Sequence, residues 1–210
     1  MNEFKIKPFV KHLMKNKQFS AVTILGFSIS LTFVLLLSGY VKQELSVDHF
    51  HVKKDRIYRL VTETGSTFCP PFGNWLLDLY PEVESYTRIL TGRKIMSDSK
   101  GKKHQFNYLL ADTTFFNIFS FPLIEGNVGT CFDSKDKVVL SKSYANKIFP
   151  NQSVIGEMIQ IGEQSYTVSA IIEDFGSNTQ FSSFDAMFNF PVIADFWGSS
   201  TILDNWGNCS

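Results

Sequence analysis

The residues best spaced for chemistry follow a long apolar run, in V-K-Q-E-L-S-V-D-H-F-H-V-K-K-D-R-I-Y-R-L, residues 41–60. Glu44, Asp48 and His51 are spaced by four and three, so a continuing helix would place them on one face. Three such side chains suffice for a catalytic zinc ion, with water in the fourth position. His49 would point elsewhere, and no H-E-x-x-H pattern accompanies the group. The plainer reading is a polar helix end entering a turn, with Asp48 paired to Lys53 or Lys54. It needs no unseen ligand, so the expectation is no metal site.

Other patterns are weaker. Ser97-Asp98-Ser99-Lys100 fits S-x-x-K, in which a serine opens a buried helix within reach of a lysine. Here it precedes G-K-K in a polar turn, and neither S-D-N nor K-T-G follows. Glu82 and Glu84 would share one face of a strand, but nothing marks a cleft, and a solvated edge is the simpler reading. A Ser-His-Asp triad would depend on His104, and there is no G-x-S-x-G elbow. No G-x-x-x-x-G-K-[ST] occurs, so no P-loop nucleotide site is expected. The expectation is a chain that is not an enzyme, with no catalytic residue and no cofactor.

Lysine plus arginine equals aspartate plus glutamate at 20 each. Nucleic-acid binders carry a basic excess, so none is expected as a partner. The charge is unevenly placed. Residues 1–17 hold Lys5, Lys7, Lys11, Lys15 and Lys17 against Glu3, leaving +4 there and −4 in the rest. Twenty-one phenylalanines are enough to build a core. Cys69, Cys131 and Cys209 form no C-x-x-C, and an odd count argues against a disulfide framework. One bridge, such as Cys69 to Cys131, stays open.

These residues must be positioned by two kinds of element. From Gln18 to Val41 no residue is charged, and about 20 apolar residues span a bilayer as a helix. Its Ser and Thr hydroxyls can return to backbone carbonyls. Tyr40 sits where an interfacial aromatic belongs. A signal peptide would have a shorter apolar stretch and a small-x-small cleavage site. In L-S-G-Y the tyrosine stands where a lipoprotein cysteine would be needed. An uncleaved anchor is therefore expected, with the bilayer as a partner. The basic flank places the N-terminus in the cytoplasm and residues after 41 outside it. Gly26 and Ser30 form a small-xxx-small pair of the kind that packs against another helix. In residues 4–16, Phe9, Val10, Leu13 and Met14 oppose Lys7, Lys11 and Lys15, and Pro8 suits a first turn. This is either an amphipathic surface helix or an ordinary basic flank.

Beyond Arg56, short strands and helices alternate. Residues 57–63 are β-rich. Residues 70–80 have Trp75, Leu76, Leu79 and Tyr80 at helical spacing, with Pro81 as the stop. Strands are expected at 83–90, 106–110 and 137–140, with a polar turn at 97–103. Asp112 or Thr113 would cap a short helix over T-F-F-N-I-F. Ser141 would cap another that stops at Pro150. Residues 158–172 read as a hairpin around G-E-Q-S. The fold class is α+β: one N-terminal transmembrane helix, then an extracytoplasmic domain of short strands and helices. The expected divisions are a cytoplasmic basic segment 1–17, a transmembrane helix 18–41, a stalk 42–56 and an outer domain 57–210.

The order of these features resembles a known family. K11-H-L-M-K-N-K-Q-F-S20 is similar to a basic approach to a first membrane helix. Y40-V-K-Q-E-L-S-V-D-H-F-H51 and D55-R-I-Y-R-L60 are similar to its exit and the first outer strand. Y80-P-E-V-E-S-Y-T-R88, the Phe-rich A111-D-T-T-F-F-N-I-F-S-F-P122, V138-V-L-S-K-S-Y-A-N-K-I-F149, S153-V-I-G-E-M-I159 and T167-V-S-A-I-I-E-D-F175 follow in order. Together they resemble the N-terminal part of an FtsX-like, MacB-type ABC-transporter permease of the Bacteroidetes form. The resemblance implies a protein of the bacterial inner membrane that bears a MacB-like periplasmic core domain. It also implies a separate cytoplasmic ATP-binding cassette ATPase and, at full length, a permease homodimer. It assigns no catalytic residue to this region. Such permeases add further spans after the core domain, so the expectation is a truncated portion with an incomplete outer domain. The alternative is a self-contained single-pass binding or sensor module.

Overall fold

The computed structural model describes residues 14–15, 17–63, 65–97, 102–150, 153–176, 179–181, 183–198 and 202–204. The chain divides into two compact units, residues 1–47 and 48–210.

In the first unit the described residues include a long helix, α1 (Lys17–Leu45), of 29 residues and mean hydropathy 2.2. At 1.5 Å per residue it is about 44 Å long, against about 30 Å of bilayer hydrocarbon. Its apolar side chains are exposed along its length. Thr23, Ser30 and Thr32 donate their hydroxyls to the carbonyls of Phe19, Gly26 and Ser28 at 2.9, 2.9 and 2.7 Å. The hydroxyls are thereby satisfied within the helix, as an apolar medium requires. The amphipathic reading of residues 4–16 lies almost wholly outside the described residues.

The second unit is built on seven strands: β1 (Ile89–Ser97), β2 (Lys103–Ala111), β3 (Leu123–Glu125), β4 (Lys137–Ser141), β5 (Met158–Ile161), β6 (Gln164–Ile172) and β7 (Ala186–Asn189). The order is β3-β6-β4-β7-β2-β1-β5, and β5 pairs back onto β6. Six strands thus form a ring, in which Ser97↔Gln160 is the pair between β1 and β5 among the described residues. Short helices α2 (Phe72–Leu79), α3 (Phe115–Ile118), α4 (Lys142–Ile148) and α5 (Ile193–Trp197) fill the connections.

Alternation along the strands sends side chains into two cores. Phe106, Tyr108 and Leu110 of β2, Val138 and Leu140 of β4, and Ala186 and Phe188 of β7 share one cluster with Tyr144 and Phe196. Leu109, Ala111, Val139 and Met187, the intervening residues, face the other cluster with Phe115, Phe121, Phe132 and Phe184. On β6, Tyr166 and Val168 face the first cluster, as does Ile171, while Ala170 and Ile172 face the second. The switch follows from a bulge: Val138 pairs with Val168, but Val139 pairs with Ala170. Ser169 is the extra residue, and its hydroxyl donates to the carbonyls of Cys131 and Val138 at 2.8 and 3.1 Å. Such an insertion reverses which face the following residues present.

The α+β architecture is the expected one. Ser141 caps α4, its hydroxyl accepting from the Tyr144 amide at 3.3 Å. The 158–172 hairpin forms, with the turn at Gly162 and Glu163, where Gly162 takes φ 63°. Three expectations are corrected. Among the described residues, 57–63 form no strand of the sheet, only an isolated Thr62↔Gly65 bridge, and Tyr58 is 84% exposed. The strand expected at 83–90 begins at Ile89 instead. The residue at the cap of α3 is Thr114, with no side-chain cap bond, rather than Asp112 or Thr113. The Asp112 carbonyl accepts from Phe115, while its carboxylate binds Arg88. Helix α2 forms as expected, yet Trp75, Leu79 and Tyr80 are exposed.

Candidate functional site

The lead-in to the second unit, residues 48–54, is where the sequence concentrated its candidate ligands. Asp48 adopts φ 57°, a left-handed conformation that aspartate tolerates better than most residues. The chain then makes tight turns, with the His51 amide donating to Asp48 O at 3.3 Å and the Lys54 amide to His51 O at 3.2 Å. His51 is 3% exposed. Its ring lies 4.1 Å from Phe50, 5.2 Å from Phe119 and 4.9 Å from Phe121, centroid to centroid. Phe121 in turn stacks on Phe175 at 3.9 Å and on Phe115 at 5.8 Å, with Phe181 edge-on at 5.5 Å. The histidine is the apex of a phenylalanine cluster seated on the second core.

Polar bonds fix this plug. The Ser120 amide donates to His51 Nδ1 at 3.0 Å, and the Val52 amide donates to Ser120 Oγ at 3.0 Å. Lys53 Nζ donates to Asn117 O at 2.8 Å. The Asp48 carboxylate accepts from the Gln180 amide at 3.3 and 3.4 Å. Segments near residues 50, 120 and 180 are thus bound together. Because Nδ1 accepts the Ser120 N–H hydrogen bond, that nitrogen is unprotonated, and the imidazole is neutral with its own hydrogen on Nε2. Nε2 is buried without a hydrogen bond and lies 3.7 Å from Asp48 Oδ1, too far for a bond. Burial holds the His51 pKa below its ordinary value, partly opposed by the Asp48 charge.

The expected pairing of Asp48 with Lys53 or Lys54 is not what forms. Lys53 binds Asn117, and Lys54 Nζ lies 3.3 Å from His49 Nδ1. Glu44 is on α1 in the other unit. Among the described residues no group of three His, Cys, Asp or Glu could hold a metal ion. Glu82 and Glu84 lie outside any strand, and Glu84 pairs with Arg56 at the surface. His104 is on β2 opposite Met96. Of the S-x-x-K tetrad only Ser97 is described. It ends β1 and pairs with Lys103 across the hairpin. Cys69 is disulfide-bonded, whereas Cys131 is free and buried, which rules out a Cys69–Cys131 bridge.

Two features escaped the sequence reading. Asp112 takes Arg88 through the backbone amide at 2.7 Å, Nε at 3.0 Å and Nη2 at 2.6 Å, and the guanidinium lies 4.1 Å over Phe190. A half-open depression of about 410 Å³ is lined by Lys94, Glu163, Tyr166, Asp195 and Phe196, among others. Two of its charges are engaged: Lys94 Nζ donates to Phe196 O at 2.6 Å, and Asp195 pairs with Lys135 at 3.5 Å.

The fold and this site describe a helix fit to cross a membrane, followed by an α+β domain rooted through a packed aromatic plug. The profile of the MacB-like periplasmic core domain matches residues 20–205, and the chain belongs to that family. Among curated proteins no sequence matches it. Its fold is similar to a domain of a candidate permease from Porphyromonas gingivalis, with TM-score 0.58 and 23% identity over 69% of this chain and 60% of that one. It is also similar to the extracellular domain of the noncanonic ABC-type transporter YknZ from Gram-positive bacteria, at 0.51 and 12% over 68% and 76%. The periplasmic region of MacB from Actinobacillus actinomycetemcomitans aligns at 0.49 and 16% over 69% and 63%. The chain therefore spans less than two thirds of the P. gingivalis and A. actinomycetemcomitans chains.

Proposed function

We propose that this chain supplies an anchor helix and the extracytoplasmic domain of an ABC exporter permease. The observation that carries the reading is the family match over residues 20–205, which includes both the apolar helix and the sheet domain. In this reading residues 1–17 are cytoplasmic, 18–41 span the inner membrane, 42–56 form a stalk and 57–210 lie outside. A separate cytoplasmic ATPase supplies energy. The outer domain carries motion or contacts the exported substrate, and the permease works as a homodimer.

The mechanical part of this proposal rests on the plug. Motion passed along a chain is lost wherever the chain is loosely held. Residues 48–53 are held by a buried ring and bonds to Ser120, Asn117 and Gln180. A two-part test is direct. Alkaline phosphatase fused after residue 60 should be active in cells, and the tagged chain should co-purify from native membranes with an ATP-binding cassette ATPase. An inactive fusion, or the absence of such an ATPase at stoichiometric yield, contradicts the reading.

A further inference from the structure

The buried His51 is held in one protonation state by geometry. Nδ1 must be bare to accept the Ser120 amide. A proton added there would face that N–H donor to donor, and the half-buried Ser120 amide would lose its acceptor. The Val52 amide and Ser120 Oγ close the same loop, so the lead-in segment and the residues around Ser120 would separate together. The surroundings offer little compensation. Residues 115–121 and 175–181 contain no titratable side chain. Among the described residues, Asp48 is the charged group beside the ring, at 3.7 Å from Nε2, and its carboxylate already accepts from the Gln180 amide. Lys53 is bonded to Asn117 O, and Lys54 is against the exposed His49.

We propose that His51 is a proton-operated catch: neutral, it fastens the lead-in segment to Ser120, and protonated, it lets that segment go while the strand ring stays folded. The inference is independent of the exporter reading, because it concerns contacts within residues 48–210. Its direction follows from linkage. The unfolded histidine titrates near its ordinary value of about 6.5, and the buried one titrates lower. The closed catch is therefore at full strength above about pH 6.5 and weakens as pH falls below it. An extracytoplasmic domain meets that range when the medium acidifies.

The test is amide hydrogen exchange on the full chain in lipid nanodiscs, corrected for intrinsic rates, at about pH 7.5 and about pH 5. Ser120 and Val52 should lose about tenfold of their protection at the lower pH. Val139 and Met187 in the sheet should hold theirs. In His51→Asn the side-chain oxygen can still accept from Ser120 without titrating, and the pH effect should vanish. Three results would overturn the proposal: flat protection of Ser120 in the unmodified chain, the same loss in His51→Asn, or loss at Val139 and Met187 alongside Ser120, which is general acid unfolding.

Discussion

Phe121 is the residue on which the plug and the second core meet, so Phe121→Ala is the sharpest perturbation of the fold's root. Its ring is 8% exposed and touches Phe50, His51, Phe115, Phe119, Phe175 and Phe181. A buried phenylalanine removes about 200 Å² from water, which at about 25 cal/mol per Å² is about 5 kcal/mol for the whole side chain. Alanine keeps the β-carbon's share, and partial collapse of the surrounding rings recovers some of the rest. The expected cost is about 3–5 kcal/mol, a large part of the 5–15 kcal/mol that holds a typical domain together. The assay is urea unfolding of residues 48–210, followed by tryptophan fluorescence and far-UV circular dichroism. Phe121→Leu, which keeps most of the volume, should recover more than half of the loss. A cost below about 1 kcal/mol for Phe121→Ala would refute the reasoning, since the cluster would then be loosely packed.

Two further outcomes follow from single sites. Asp112→Ala should cost about 2–4 kcal/mol, because it strands a mostly buried guanidinium and unpairs the Arg88 amide; a double-mutant cycle with Arg88→Ala should show coupling, and simple additivity would count against the pair. Cys131 is fully buried, and burial pushes its thiol pKa up to about 11. A maleimide at about pH 8 should therefore leave it unlabelled until denaturant is added, whereas Cys69 should stay unlabelled in denaturant until a reductant is present. Mass spectrometry of the labelled peptides checks both.

How far the sequence could be read depended on how local each signal was. The Ser141 cap and the 158–172 hairpin are each decided within about fifteen residues, by a hydroxyl before a helix and by alternation around a glycine turn. Residues 57–63 carry the same β-rich signal, but a strand needs a partner, and propensity does not supply one. The strand at 89–97 was misplaced because Gly92, Arg93 and Lys94 interrupt its apolar pattern, while its pairing with 103–111 decides its position. Closure of the ring between β1 and β5, and the change of face at Ser169, arise from pairings that no local pattern encodes.

The site divides in the same way. The Phe-rich run 115–121 was visible as a signature, and so was the D-H-F-H stretch. Nothing local says that they meet, because Ser120 lies 69 residues from His51 and Gln180 lies 132 from Asp48. Spacing alone put Glu44, Asp48 and His51 on one helical face, but that requires the helix to continue. It ends at Leu45, and Asp48 turns left-handed. The carboxylate and the imidazole then face the domain's own backbone amides.

The central claim is that His51 fastens the outer domain rather than binding a metal or a substrate, and that its neighbour His49 does not. Equilibrium unfolding of residues 48–210 carrying His51→Ala or His49→Ala tests it most directly. His51→Ala vacates a buried ring position and leaves the Ser120 amide without an acceptor, so it should lose about 2–4 kcal/mol. His49→Ala, at an exposed position, should stay within about 0.5 kcal/mol of the unmodified domain. Equal effects at the two positions, or a His51→Ala domain as stable as the unmodified one, would contradict the claim.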